Sequence, residues 1–315
     1  MNLVKRLAVF VGYDKDSIIH DYVVYYLSEL SKSADIIYVA DNDLSQCEID
    51  KIKPYTIKII AQRHGEYDFG SYKRGYLFAK QSGILDEYDF LILCNDSVFG
   101  PFYSFDKIFA EIPQRQDIVY GFSKHLKADC DWAGKRYKFI DEHLQSYFVV
   151  MPKGVFLSDW YSDFVKSTKK EVDKIEVVFK YEIGMSALFR QHNIKLLSHY
   201  ENAVDLSCVN PLKVLENHDG IFVKKLHFLN FDFATICKML GIISSYNRYG
   251  GGESHYDINL IADYYQRNKS KLVFAYQSDI IKYKRLNKKI ANIAKYIIPI
   301  KAFRKWLLGR YIVLD

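Results

Sequence analysis

Apolar and polar positions along the first hundred residues lay out a regular succession of strands and helices. Leu7–Tyr13 (LAVFVGY) is apolar throughout, the mark of a strand buried on both faces, as in parallel sheets. Asp16–Ser33 then places Ile19, Val23, Tyr26, Leu27 and Leu30 at helical spacing. Asp35–Ala40 (DIIYVA), Thr56–Ala61 (TIKIIA) and Asp89–Cys94 (DFLILC) read as further strands, with a helix over Ser71–Gln81 before the last of them. Strands alternating with helices through short connections predict an α/β fold, a mostly parallel, doubly wound central sheet flanked by helices. Beyond Asp117–Phe122, also a strand, the alternation thins. Ser146–Met151 and Ile194–His199 read as strands, Glu182–His192 as a helix, and the rest is irregular to about residue 266.

Ligands of such sheets lie beyond the carboxyl ends of the strands. That rule picks out Gly12-Tyr13-Asp14, Asp41, Arg63–Arg74 and Asn95-Asp96-Ser97. In YDFGSYKRG, Gly70 permits close backbone approach, Ser71 would cap a helix whose first amides favour an anion, and Lys73 and Arg74 add charge suited to a diphosphate. Asp68 belongs to the same run. Asp96 ends the next strand and could hold a divalent cation (Mg or Mn) through oxygen, with Asn95 and Ser97 on either side. Asp41 could bond the base or ribose of a nucleotide, and Tyr13 could stack on the base. Each of these residues also has a plainer reading, as a helix cap, a turn carboxylate or one of 26 tyrosines.

Composition narrows the class. In 315 residues, 26% charged and 16% aromatic, there is ample material for a large core and none of the signature of disorder. Five scattered cysteines, never spaced as CxxC, argue against a disulfide framework or a structural zinc and suit a reducing cytoplasm. No apolar run approaches the roughly 18–20 residues of a bilayer span, and the N-terminus reads as a first strand rather than a signal peptide. The net charge of +6 is an average: residues 1–266 carry −5, whereas residues 267–315 carry +11.

The runs YDFGSYKRGY, EYDFLILCNDSVFGPF, HLQSYFVVMPKGVF and KYEIGMSALFRQHNIKL together resemble the rhamnan synthesis protein F family, over roughly residues 5–230. The DFGS-K-RG and NDSxFGP blocks are the most specific. The resemblance implies a bacterial glycosyltransferase of surface-polysaccharide assembly, with a GT-A-like, Rossmann-like fold. It would move a sugar from a nucleotide-sugar donor to a lipid-linked oligosaccharide acceptor. The GT-A layout carries a DxD metal motif at the end of the strand that here ends in Asn95-Asp96-Ser97, so this chain departs from it and metal-independent catalysis stays open. Glu182, expected to open a helix, is the candidate catalytic base for inverting transfer, with Asp141 and Glu142 behind it. Trp132, His143 and Gln145 are candidates for the acceptor pocket. A retaining transferase and a non-catalytic nucleotide-sugar or glycan-binding subunit are the alternatives.

These readings divide the chain into a GT-A-like domain over 1–266 and a basic amphipathic helical segment over 267–315. In that segment Lys and Arg interleave with Ile297, Ile298, Phe303, Trp306 and Leu307. Such a segment fits the headgroup region of an anionic membrane, placing the protein peripherally on the inner face of the bacterial cytoplasmic membrane. A helical hairpin packed on the domain is the plainer reading. Nucleic acid is not expected, because no recognised module is present and the body is acidic.

Overall fold

The structure, a computed structural model, describes residues 4–130, 136–200, 221–230, 238–243 and 256–267, together with Leu212, Leu215 and Thr235. The expected tail helices over 267–315 and the candidate Trp132 lie outside the described residues, save for Arg267 at the end of a helix. The chain divides into two compact units. One comprises Met1–Ile19, Val23–Asp96 and Phe105–Cys208, and the other His20–Tyr22, Ser97–Ser104 and Val209–Asp315.

The first unit is built on a seven-stranded sheet. Its strands are β1 (Arg6–Gly12), β2 (Asp35–Ala40), β3 (Lys58–Ala61), β4 (Phe90–Asn95), β5 (Ile118–Gly121), β6 (Phe148–Pro152) and β7 (Lys195–Ser198), in the order β7-β5-β6-β4-β1-β2-β3. All pairings are parallel except those of β6, which runs antiparallel between β4 and β5. The mostly parallel α/β fold read from the chain is therefore the observed one. Phe148 pairs with Cys94 near the end of β4, so the start of β6 joins the carboxyl ends of the other six strands along one edge.

Helices cover both faces. They are α1 (Asp21–Leu30), α2 (Gln46–Ile52), α3 (Tyr67–Gln81), α4 (Phe105–Glu111), α5 (Asp159–Ser167) and α6, which runs through Lys174–Val177, Val178–Ile183 and Gly184–Gln191 with its middle stretch in π geometry. On one face Leu7, Val9, Val11, Leu91, Leu93, Val149 and Met151 pack with Tyr72, Tyr76 and Ala79 of α3, Tyr161 of α5 and Met185 and Phe189 of α6. On the other face an aromatic ladder crosses the sheet: Phe10 meets Tyr26 at 4.9 Å, Tyr26 meets Phe105 at 5.7 Å, and Phe105 meets Phe148 at 5.9 Å between ring centres. Each fully buried side chain of this size contributes about 1.5–3 kcal/mol, which fixes the sheet edge on which the site is built.

Two expectations about helix starts are corrected. The helix predicted from Ser71 begins at Tyr67, so Gly70 and Ser71 lie buried inside its first turns and Ser71 caps nothing. Glu182 does not open a helix. It sits in the π stretch of α6, which starts at Lys174 after the capping residue Asp173, whose side chain accepts from the amide of Glu176. Both segments carry polar residues inside a helix, so apolar spacing alone placed each start too late.

In the second unit, Val98–Phe99 pairs antiparallel with Val223–Lys224. Phe99 is ringed edge-on by Tyr22, Phe228 and Tyr264 at 4.9–5.6 Å. Lys225 donates to the Tyr22 hydroxyl at 2.7 Å and lies over the Tyr22 and Tyr264 rings, and Lys224 donates to the hydroxyl of Ser97 at 3.1 Å.

Candidate active site

The carboxyl edge of the sheet gathers Tyr13 after β1, Asp41 after β2, the turn Arg63–Glu66 after β3, Asn95-Asp96 at the end of β4, Ser123 after β5 and Gln145-Ser146-Tyr147 ahead of β6. These positions fall into two groups with different chemistry.

The first group is the turn into α3. Asp41, nearly buried, accepts the amide of His64 at 2.6 Å and that of Gly65 at 2.8 Å, so its carboxylate clamps this turn. Gly65 and Tyr67 both take left-handed backbone, with φ of +68° and +58°, and the clamp holds that arrangement. His64 Nδ1 accepts the Glu66 amide at 3.0 Å, which puts the imidazole proton on Nε2, donated to Ser71 Oγ at 2.9 Å. Burial pushes the His64 pKa down against the pull of Asp41, keeping the ring neutral. Arg74 meets both oxygens of Glu66, at 2.8 and 3.3 Å, and also the Gly70 carbonyl. The hydrogen bond from Arg74 holds the Glu66 carboxyl below its ordinary range.

This accounts for most of the DFGSYKRG block. A Cβ on Gly70 would meet the Cβ of Glu66, and one on Gly75 would meet Val9 Cγ1, so the first glycine makes room for the ion pair and the second for α3 against β1. The ammonium of Lys73 donates to the carbonyls of Lys166 and Thr168 at 3.0 and 2.6 Å, at the C-terminus of α5, where a cation also complements the helix dipole. Lys73 and Arg74 would each have to exchange a protein partner to meet a diphosphate.

The second group faces it from β4, β6 and α6. Asp68, in the first turn of α3, accepts from the Asn95 amide group at 3.0 Å, while the Asn95 backbone N–H donates to the Tyr147 carbonyl. Glu182 Oε1 accepts both the backbone N–H of Ser146, at 2.7 Å, and its hydroxyl, at 2.8 Å. Tyr72 donates to the Ser146 carbonyl at 2.8 Å. Burial, with the nearby Asp68 carboxylate and a smaller push from Glu182, raises the Tyr72 pKa far above its ordinary value, so it stays a donor. The structure thus brings together Asp68, Asn95 and Glu182 of the expected site through Tyr72, Ser146 and Tyr147. Spacing did not single out these last three, nor His64.

The remaining candidates are placed as follows. Tyr13 is 48% exposed at the end of β1. Asp96 follows β4, its amide donating to the Val11 carbonyl, and burial, with Asp96 and Asp14 adding, raises the nearby Tyr38 hydroxyl. Ser97 belongs to the second unit, with Lys224 on its hydroxyl. His143 and Gln145 are buried. His143 Nδ1 donates to the Asp141 carbonyl and its ring stacks on His125, whereas Gln145 accepts from Ser123 at 2.6 Å. Among the described residues no three His, Cys, Asp or Glu side chains are grouped to hold a metal ion. The run Asn95-Asp96-Ser97 supplies one carboxylate, an amide and a hydroxyl, fewer charged oxygens than a divalent cation usually takes.

A mostly parallel sheet with helices on both faces and polar residues gathered along its carboxyl edge is an α/β fold of the doubly wound kind. The chain belongs to the rhamnan synthesis protein F family, whose model matches residues 36–300. That membership supports a polysaccharide glycosyltransferase. No curated protein matches the chain in sequence. Among solved structures, the chain is similar to a cytidylyltransferase from Leptospira borgpetersenii, at TM-score 0.40 and 7% identity over 85% of this chain and 97% of that one. It is also similar to a glycosyltransferase involved in glycosylation of the major capsid of PBCV-1, at TM-score 0.35 and 11% identity over 69% and 93%. A third is core-mannan synthase A from Aspergillus fumigatus in its Mn/GDP form, at TM-score 0.33 and 10% identity over 50% and 63%. At these scores none of their chemistry passes to this chain.

Proposed function

We propose that the protein transfers a sugar from a UDP- or dTDP-linked nucleotide-sugar to a hydroxyl of a lipid-linked glycan, in the synthesis of O-antigen or another surface polysaccharide, with inversion at the anomeric carbon. The observation that carries the reading is Glu182: a carboxylate braced on one oxygen by Ser146, at the strand edge where ligands of such sheets lie. In this reading the other oxygen of Glu182 takes the proton of the acceptor hydroxyl. The acceptor oxygen attacks the anomeric carbon from the face opposite the nucleotide, and the bond to the diphosphate breaks with its electron pair leaving on the diphosphate. Donor binding falls to the loops after β1, β2 and β4, with Tyr13 against the base and Asn95 and Asp96 near the diphosphate.

A screen of UDP- and dTDP-sugars by nucleotide release identifies the donor, and NMR of the product gives its anomeric configuration. We expect inversion. A retained configuration would replace Glu182 as base with a retaining mechanism, and tight donor binding without transfer to any lipid-linked acceptor would leave a binding subunit. We further propose that residues 267–315 bring the enzyme to the inner face of the cytoplasmic membrane. Among the described residues no helix is long and apolar enough to cross a membrane, and the +11 charge of this segment suits an anionic surface. Co-sedimentation of the full chain with anionic but not neutral vesicles is expected; equal partitioning would remove this part of the proposal.

A further inference from the structure

We infer that Ser146 is the positioning residue of Glu182, selecting which carboxylate oxygen works; this deepens the reading of Glu182 as base and rests on it. One residue supplies two donors to the same oxygen, its amide at 2.7 Å and its hydroxyl at 2.8 Å. Oε1 is thereby occupied and the carboxylate plane set, so proton acceptance falls to Oε2. Bonds between a neutral donor and a charged acceptor are the stronger kind, and two of them restrain a side chain that otherwise has three rotatable torsions.

Ser146 can do this because the strap that carries it is itself held at every residue. The Leu144 amide donates to Ser186 Oγ at 3.0 Å, and the Gln145 amide donates to the Ser123 carbonyl at 3.0 Å. The Ser146 carbonyl takes the Tyr72 hydroxyl, and the Tyr147 carbonyl takes the Asn95 amide. Glu182 and Ser186 stand four apart on α6 and meet alternate residues of the strap, as neighbours on one helical face meet one face of an extended segment. The strap is thus tied to α3, β4, the end of β5 and α6 at once. Tyr72 gives the DFGSYKRG helix a route to the base, because it holds the backbone carbonyl of the residue that orients Glu182.

The test is steady-state kinetics of the full chain with the UDP- or dTDP-sugar that gives the fastest nucleotide release. Ser146→Ala removes the hydroxyl and keeps the amide. The expected result is a fall in kcat of about 10- to 100-fold, the worth of one hydrogen bond to a charged group, with donor KM changed by less than about twofold. Ser146→Thr restores most of it. In a Glu182→Gln background, Ser146→Ala leaves the residual rate within about twofold, because the positioned group is gone. Unchanged kcat in Ser146→Ala beside an inactive Glu182→Gln would overturn the inference alone. So would loss confined to KM, failure of threonine to rescue, or additive losses in the double variant. Full turnover in Glu182→Gln would instead remove the reading on which it rests. Should the alanine variant not fold, Ser146→Cys, a weaker donor of similar size, serves in its place with the same expectations.

Discussion

The turn into α3 and the strap before β6 stand on the same sheet edge and are both dense in polar residues, but they spend their charges differently. In the turn, opposite charges are satisfied by each other or by backbone: Arg74 by Glu66, Asp41 by two amides, Lys73 by two carbonyls. At the strap, Glu182 receives two neutral donors on one oxygen, and among the described residues no Lys or Arg forms an ion pair with it. A charge cancelled internally stabilises a fold, whereas a braced carboxylate with a second oxygen is equipped to accept a proton. In the proposed reading, then, Lys73 and Arg74 serve the fold first, and the proton transfer falls to the strap.

Four substitutions break or sharpen that contrast. The largest effect is expected at the strap: Glu182→Gln should lower kcat by about 10²–10⁴-fold while donor affinity, read by calorimetry, is unchanged. Arg74→Ala comes next. It strands Glu66, which is about one-fifth exposed, and should lower stability by about 1–3 kcal/mol in urea unfolding. Lys73→Met removes the cation from the end of α5 and should cost about 0.5–1 kcal/mol with donor KM unchanged. A donor KM raised tenfold or more in this variant would restore Lys73 to the diphosphate and erase the distinction between the regions.

The smallest effect is a pH dependence. The His64 pKa lies below its ordinary 6.5 in the folded protein, so the unfolded chain binds the extra proton more readily. The stability contributed by neutral His64 is present above pH 6.5 and is lost as pH falls through the folded value. Glu66, also lowered, adds a loss further down, below about 4.5. Urea midpoints should therefore drop on acidification below pH 6.5, and His64→Gln should flatten the upper part of that fall. A midpoint independent of pH between 7 and 5 in the wild type would refute the neutral, clamped histidine.

Much of the architecture was legible along the chain. β2 has the predicted bounds, and β1, β4, β5 and β6 agree to within a residue or two, because strands buried on both faces are written as continuous apolar runs; β7, a half-exposed edge strand, agrees as closely. The edge on which ligands should lie followed from the parallel order. The start of α3 did not, since the residues that begin it are Tyr67, Asp68 and Phe69 behind a left-handed turn held from β2 by Asp41. Nor did α6, where a π stretch shifts Glu182 within a helix already under way.

Local pattern, then, determined which segments are strands, that most of them run parallel, and that Asp68 and Asn95 are polar groups close to a helix or strand end. Only the tertiary structure decided what each charge does. Lys73 and Arg74 are neighbours in sequence, yet a helix turns successive side chains by about 100°, so one reaches α5 and the other Glu66. Ser146 and Glu182 are 36 residues apart and meet because β6 reverses direction between parallel strands and brings its first residues to their carboxyl ends. Periodicity records which face a residue takes; its partner is set by the packing of elements distant in the chain.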